Sequence, residues 1–405
     1  MNTDAEADPA RTEARDRRHL RLIQLIGALF AGYLIIGIPL PVLPLHVHNG
    51  LGYGPFTVGI VAGAQFAAAV FSRMFAGHFT DTRGPKTAFI IGLLLAALAA
   101  MLYLLSLTAL DTPPASLLLL LAGRVVLGIG ESFMVTGALG WGVLLLGAAE
   151  ASKAMSWLGT SLYAAFAIGA PVGTYLYGHF GFVAVACATA VVPAAAMLLI
   201  LPMPAAARPA HVHETGLLKK VAGVVLMPGT ALALSGVGFS AVMTFAALLY
   251  HSRDWSPAWL AFTALSVAFI CGRVLFGHLP DRFGGLRVAL GCIVIEAAGQ
   301  ALIWLAPNAG LALLGVTVTG LGYSLVYPGL GALVIRAAPP QSRALALGAY
   351  TAFLDVSLGF SGPLLGLVAT GRDLSSIYAV STFVALGAAV MVLWTLMRAS
   401  APAKP

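Results

Sequence analysis

Three carboxylic acids stand isolated inside long apolar stretches: Glu131, Glu296 and Asp355, with Arg124 seven residues before the first of them. An ionisable group at the centre of a membrane-spanning helix costs on the order of 3 kcal/mol, so such groups face protein or water and default to functional candidates. A carboxyl group there can load and release a proton as its access to water changes. Arg124 and Glu131 share a helix face but stand about 10 Å apart along it, which argues against a simple pair. The reading is therefore Glu131 as proton carrier and Asp355 as second titrating group or substrate counter-ion. Glu296 is divided between the same role and a bracing hydrogen bond. Arg73 and Arg273 lie nearer their helix ends, where snorkelling suffices.

Polar and aromatic residues that could line a cavity between such groups are Tyr33, Gln65, Trp157, Tyr163, Phe239, Tyr323 and Tyr327. As a set they suit an amphipathic organic molecule. Singly, each is as well explained by packing or by an interfacial aromatic belt. Two HVH strings, His46–His48 and His211–His213, have no neighbouring Cys or carboxylate set of metal-ligand spacing, so no metal is expected. No GxxxxGKS phosphate loop is present, so no bound cofactor is expected and a proton gradient is the natural energy source.

The elements that must position these groups follow from composition. Of 405 residues, 60% are hydrophobic and only 9% charged, against roughly 25% charged in soluble domains. The net charge of +7 comes without a dense basic tract, which excludes a nucleic-acid partner. The lipid bilayer is the expected surrounding. Apolar runs at 22–45, 55–79, 88–108, 116–145, 154–177, 181–201, 226–250, 257–279, 287–306, 310–335, 344–369 and 375–397 predict twelve transmembrane helices. The polar stretch 202–225 reads as a cytoplasmic linker between a six-helix bundle at 22–201 and a second at 226–398, with tails at 1–21 and 399–405. With the N-terminus inside, cytoplasmic segments hold 17 of the 22 Lys and Arg residues and outer loops only Arg253 and Arg372. Both termini are accordingly assigned to the cytoplasm. Cys187, Cys271 and Cys292 fall in apolar stretches and read as buried small hydrophobes.

The halves repeat one another. SRMFAGHFTDTRG (Ser72–Gly84) and GRVLFGHLPDRFG (Gly272–Gly284) match at five positions at an offset of 200; further on, GIGES (Gly128–Ser132) aligns with GLGYS (Gly320–Ser324) at 192. A parallel duplication of six helices implies two bundles with a site between them near the membrane midplane.

The turn after the second run, Gly77, Asp81, Arg83, Gly84 and Lys86, and its copy, Gly277, Asp281, Arg282, Gly284 and Arg287, resemble the signature G-x-x-x-D-(R/K)-x-G-x-(R/K)-(R/K) of the major facilitator superfamily. PLPVLP (Pro39–Pro44) resembles the P-V-x-P pattern of twelve-helix drug:proton antiporters and predicts a kink in the first helix. LAGRVVLGIGE (Leu121–Glu131) is similar to the superfamily's R-x-x-x-G-x-G segment, with Glu131 where a small residue is usual. AIGAPVG (Ala167–Gly173) resembles the antiporter motif G-x-x-x-G-P-x-x-G, carrying Pro171 and Gly173 but Ala170 for one glycine. With PLPVLPLHVH (Pro39–His48), GRVVLGIGES (Gly123–Ser132), MSW (Met155–Trp157) and AYTAFLDVSLGFSGPL (Ala349–Leu364), the chain looks most like the YfcJ/YhhS-type branch.

The resemblance implies an all-α membrane protein of two pseudo-symmetric six-helix bundles, in a bacterial inner membrane, working by alternating access, as a monomer. It also implies that Asp81 faces the helix start near Ser342 and Arg343, and Asp281 the start near Ser152 and Lys153, as latches of one access state. The expected activity is export of small organic molecules against protons. A proton-coupled symporter importing a metabolite would share every charge named, and a transport-inactive receptor or membrane enzyme on the same fold is a third reading. No nucleophile, base and orienter can be brought together from the sequence, so an enzyme is not expected.

Overall fold

The computed structural model describes residues 9–146, 151–205, 217–338 and 343–400. Ser342 and His211–His213 lie outside these residues, as do the side chains of Ser152, Lys153 and Arg343. Every regular element is helical among the described residues. Eleven helical segments are long and apolar enough to cross a membrane, and one of them, Gly159–Ile200, contains two crossings.

The first half comprises α1 (Pro9–Gly37), a short α2 (Leu43–Leu45), α3 (Pro55–Arg83), α4 (Pro85–Ser106), α5 (Pro113–Leu146) and α6 (Ala151–Ile200). The sequence predicts a kink in the first helix; the structure breaks it instead. α1 stops at Gly37 and α2 resumes at Leu43, because Pro39 and Pro41 supply no N–H and their rings crowd the preceding turn. α6 counts fifty residues, about 75 Å if it were one straight helix. Gly181, with φ of +72°, turns it back through the membrane and restores the fifth and sixth helices.

The second half comprises α7 (Leu217–Ser252), α8 (Trp259–Phe276), α9 (Leu279–Phe283), α10 (Gly285–Trp304), α11 (Ala309–Tyr323), α12 (Val326–Ala337), α13 (Arg343–Ala369) and α14 (Ser375–Ser400). α7 begins inside the segment expected to be linker, since Lys219 and Lys220 break an apolar count without opposing a helix. The tenth predicted helix is divided at Ser324–Leu325 into α11 and α12. Pro328 explains the break, because its ring occupies the space of the Ser324 carbonyl. Cys187 and Cys271 are exposed on outward faces and only Cys292 is buried. The expectation of three buried cysteines is thus corrected: against lipid, an apolar residue need not be covered by protein.

The bundles meet along two seams, α3 against α13 and α6 against α8. Glycines make the first seam possible. A side chain added at Gly59 would overlap the Gly362 carbonyl, one at Gly63 the Gly359 carbonyl, and one at Gly366 the Pro55 backbone. Close approach of this kind is how helices associate in lipid, where packing replaces the hydrophobic drive. Gly63→Leu should insert and fold but hold the seam apart, abolishing transport. Cysteines placed on α3 and α13 near Gly59 and Gly362 should then fail to crosslink. The same face carries an Asn49 Nδ2–His251 Nε2 contact at 3.0 Å and an Arg253–Asp373 ion pair at 2.8 Å. Hydrogen bonds from Ser375, with Arg253 adding to them, hold the Asp373 carboxyl below the usual range.

On the opposite face the chain reverses at Gly84 and Gly284, with φ of +95° and +89°, values that favour glycine. Asp81 and Asp281 are exposed there.

Candidate functional site

Gly128 of α5 packs against the backbone of Gln65 on α3, so the two helices lie close enough for side chains one turn away to meet. Gln65 Nε2 donates to Glu131 Oε2 at 2.6 Å, and both residues are buried. Arg124 does not join them. Its Nε and Nη2 donate to the carbonyls of Val61 and Ala62 at 3.1 and 3.2 Å, clamping α5 to α3 within one bundle. Glu296 lies in the other bundle, fully buried, and accepts a hydrogen bond from Ser235 of α7.

Asp355 has a partner that its sequence position does not show. Arg73 Nε lies 2.8 Å from Asp355 Oδ2, joining α3 of one bundle to α13 of the other. The reading of Arg73 as a snorkelling end residue is corrected here. Past the close approach of Gly359 to Ala67, the long arginine side chain reaches across the α3–α13 seam to Asp355 instead of running to the surface. The charges of Glu131, Arg73 and Asp355 all act on the buried Tyr33 hydroxyl, and Glu131 acts on Asp355. Arg73 also acts on Glu131. The Arg73 guanidinium thus pairs with Asp355 of the opposite bundle, and its charge, like that of Arg124, is also felt at Glu131.

The second seam is aromatic. Tyr163 of α6 stacks on Phe269 of α8 with centroids 3.6 Å apart, and Phe239 of α7 stacks on Tyr323 of α11 at 5.0 Å. Tyr163 and Phe239 meet edge to face at 6.1 Å. The Tyr327 hydroxyl bonds Thr351 Oγ1 at 2.7 Å within range of Arg73, Arg273 and Asp355. Of the cavity-lining candidates, Tyr33, Gln65, Tyr163, Phe239, Tyr323 and Tyr327 are brought into this central region. Trp157 is half exposed, away from it. Gly173 lies on the α6 face that receives the end of α1, where a side chain would overlap Ile38, and Pro171 stands inside the same helix, two residues before it. Gly77 and Gly277, with Arg83, Lys86, Arg282 and Arg287, stay with the turns of the opposite face. There Lys86 Nζ donates to the Leu201 and Met203 carbonyls at 2.8 and 2.5 Å. The histidine string at the end of the first helix is divided. His46 stacks on Phe182, while His48 bonds the Tyr53 carbonyl at 2.7 Å.

Sequence reasoning missed Arg73, Phe269 and Arg273. The repeat held the signal: at the offset of 192 Glu131 corresponds to Tyr323 and Asp355 to Tyr163, while at 200 Arg73 corresponds to Arg273. The centre is built from equivalent positions of the two halves.

A model of the Major Facilitator Superfamily matches residues 25–275 and 229–405. The chain belongs to this superfamily. It is 40% identical over 375 residues to an uncharacterised MFS-type transporter of Salmonella typhimurium, covering 92% of this chain and 96% of that one. It is 39% identical over 383 residues to the uncharacterised MFS-type transporter YhhS of Escherichia coli, covering 94% of each. Among solved structures, a variant of the nucleoside transporter NupG superposes with a TM-score of 0.73 at 18% identity, over 92% of this chain and 99% of that one. The human organic anion transporter MFSD10 does so at 0.68 and 14%, over 93% and 99%. At these identities the structural likeness concerns the fold alone. The major facilitator protein described here is a multi-pass, all-helical secondary transporter of two six-helix bundles.

Proposed function

We propose that this transporter couples small organic molecules to protons, exporting them in exchange for protons across a bacterial inner membrane. The observation that carries the reading is the Arg73–Asp355 ion pair across the bundles, with Glu131 in range of the same guanidinium. When Glu131 is charged it competes with Asp355 for Arg73. Protonating Glu131 ends the competition and lets Arg73 hold the two bundles together. A proton on one buried carboxyl group thereby biases a rigid-body equilibrium, which is what coupling requires. Glu296, in contrast, braces its own bundle through Ser235.

Everted membrane vesicles, acidified inside, test the reading. An exported compound should raise the internal pH as it enters, and Glu131→Gln should remove that response. The symport reading is favoured by one observation, the half-buried Arg273, which carries a positive charge over the aromatic seam with no carboxylate paired with it among the described residues. An anion bound there would hold the proton on Glu131, so cargo and proton would travel together, and the same vesicles would report proton movement of the opposite sign.

Orientation follows the basic-residue bias: both termini and the 202–225 linker inside, the Asn49–His251 face outside. Reporter fusions after Gly52 and Gly310 should read external; cytoplasmic labelling of either would overturn the topology. Asp81 and Asp281, exposed on the inner turns, are proposed to latch the inward-closed state against helix starts of the opposite bundle.

A further inference from the structure

Equivalent positions of the two halves carry unlike side chains at the centre of this molecule. In the first half Arg73 reaches a carboxylate of the opposite bundle, Asp355, at 2.8 Å. In the second half the position equivalent to Asp355 carries a phenol, Tyr163, whose ring stacks on Phe269, the ring that the corresponding Arg273 lies over. Its guanidinium lies over the Phe269 ring at 5.4 Å, and no carboxylate pairs with it among the described residues. Gly159 of α6 leaves space for it, since a side chain there would come within 3.1 Å of Nη1. A guanidinium at this depth is retained when something balances its charge, and a single ring face does so only weakly.

Across the ring of Phe269 the Tyr323 hydroxyl is buried with no hydrogen bond among the described residues, on a side chain only 2% exposed, and the charge of Glu296 acts on it. Phe269 stands between the two groups: its ring is 6.2 Å from that of Tyr323 and lies under Arg273. A fixed cation beside a wall of stacked aromatic rings supplies the parts needed to hold a flat molecule with an acidic end.

We infer that Arg273 recognises the acidic group of the transported molecule, so that the cargo is a small organic anion. Its carboxylate or phosphonate oxygens accept from Arg273, and its apolar body lies along Tyr163, Phe269 and Phe239. This rests on the transport reading above but not on which way the proton moves.

Equilibrium binding to the purified, full-length transporter in detergent tests it. The probes are matched sets: indole-3-acetate, indole-3-acetamide and tryptamine, with benzoate, phenylphosphonate, benzamide and benzylamine. The acids should bind the native protein, with the amides and amines weaker by about tenfold or more, the scale of one charge-assisted hydrogen bond. Arg273→Gln should lose that preference, and Arg273→Lys should keep it in part, which separates lost recognition from lost folding. Comparison of the carboxylates with phenylphosphonate assigns the oxyanion. Amine probes binding best, no acid binding the native protein, or acids binding Arg273→Gln as tightly would overturn the inference. Binding in detergent involves no gradient, so it reads the anion site alone. Proton-driven flux that ignores Glu131, beside acid binding that needs Arg273, would remove the coupling assignment and leave the anion site standing. The reverse pattern would do the opposite.

Discussion

Glu131→Gln should abolish uphill, proton-driven transport while leaving exchange of labelled for unlabelled cargo at equal concentrations largely intact. Glutamine keeps the shape and the ability to bond Gln65 across the 2.6 Å contact, but it cannot release a proton and so imitates the permanently protonated carboxyl group. Exchange requires only that the loaded carrier move between its two faces, and that movement need not release a proton from position 131. Loss of coupling should therefore be complete, because no gradient can act on a group that does not titrate. Gradient-driven uptake measured beside counterflow in proteoliposomes is the decisive comparison. Retained accumulation in Glu131→Gln would transfer the role to Asp355 or Glu296.

The legible part of this molecule is the part that lipid dictates. A bilayer core demands about twenty apolar residues per crossing, so the runs around Glu131, Glu296 and Asp355 announce themselves and the three acids stand out within them. Lipid does not dictate which way a side chain turns. Arg73 sits where an arginine commonly snorkels, and only the glycine seam of α3 on α13 brings Asp355 into its reach. Arg124 shows the converse: it lies on the same helix and face as Glu131, yet backbone carbonyls of α3 take up its donors. The aromatic counterpart of the charged centre was encoded by the repeat, in the equivalence of Tyr323 with Glu131 and Tyr163 with Asp355. Its neutrality conceals it from any search for isolated charges. Breaks at Pro39–Pro41 and before Pro328 were marked by the prolines, but whether a proline kinks or divides a helix depends on whether neighbours satisfy the freed carbonyls.

Removing either member of the Arg73–Asp355 pair should be far worse than removing both. Asp355→Asn leaves a guanidinium inside the membrane with its partner gone, and breaking a buried pair in this way costs on the order of 3–5 kcal/mol. The side chain of Arg73 is 21% exposed and that of Asp355 8%, so water screens part of the interaction and the lower end of that range is expected. The neutral double variant Arg73→Gln/Asp355→Asn should regain most of the thermal stability lost by Asp355→Asn, since no charge is then left unpaired. Transport should not return with it, because nothing remains for Glu131 to compete over. The exchanged pair Arg73→Asp/Asp355→Arg isolates this point. It restores attraction between the bundles but moves the guanidinium from α3 to α13, and it sets a carboxylate on α3, the helix whose Gln65 holds Glu131. If the pair served only to hold the bundles together, exchange would rescue proton-driven transport. The sharing of Arg73 between Glu131 and Asp355 predicts instead that the exchanged protein is stable, binds cargo and runs counterflow, yet accumulates nothing against a gradient.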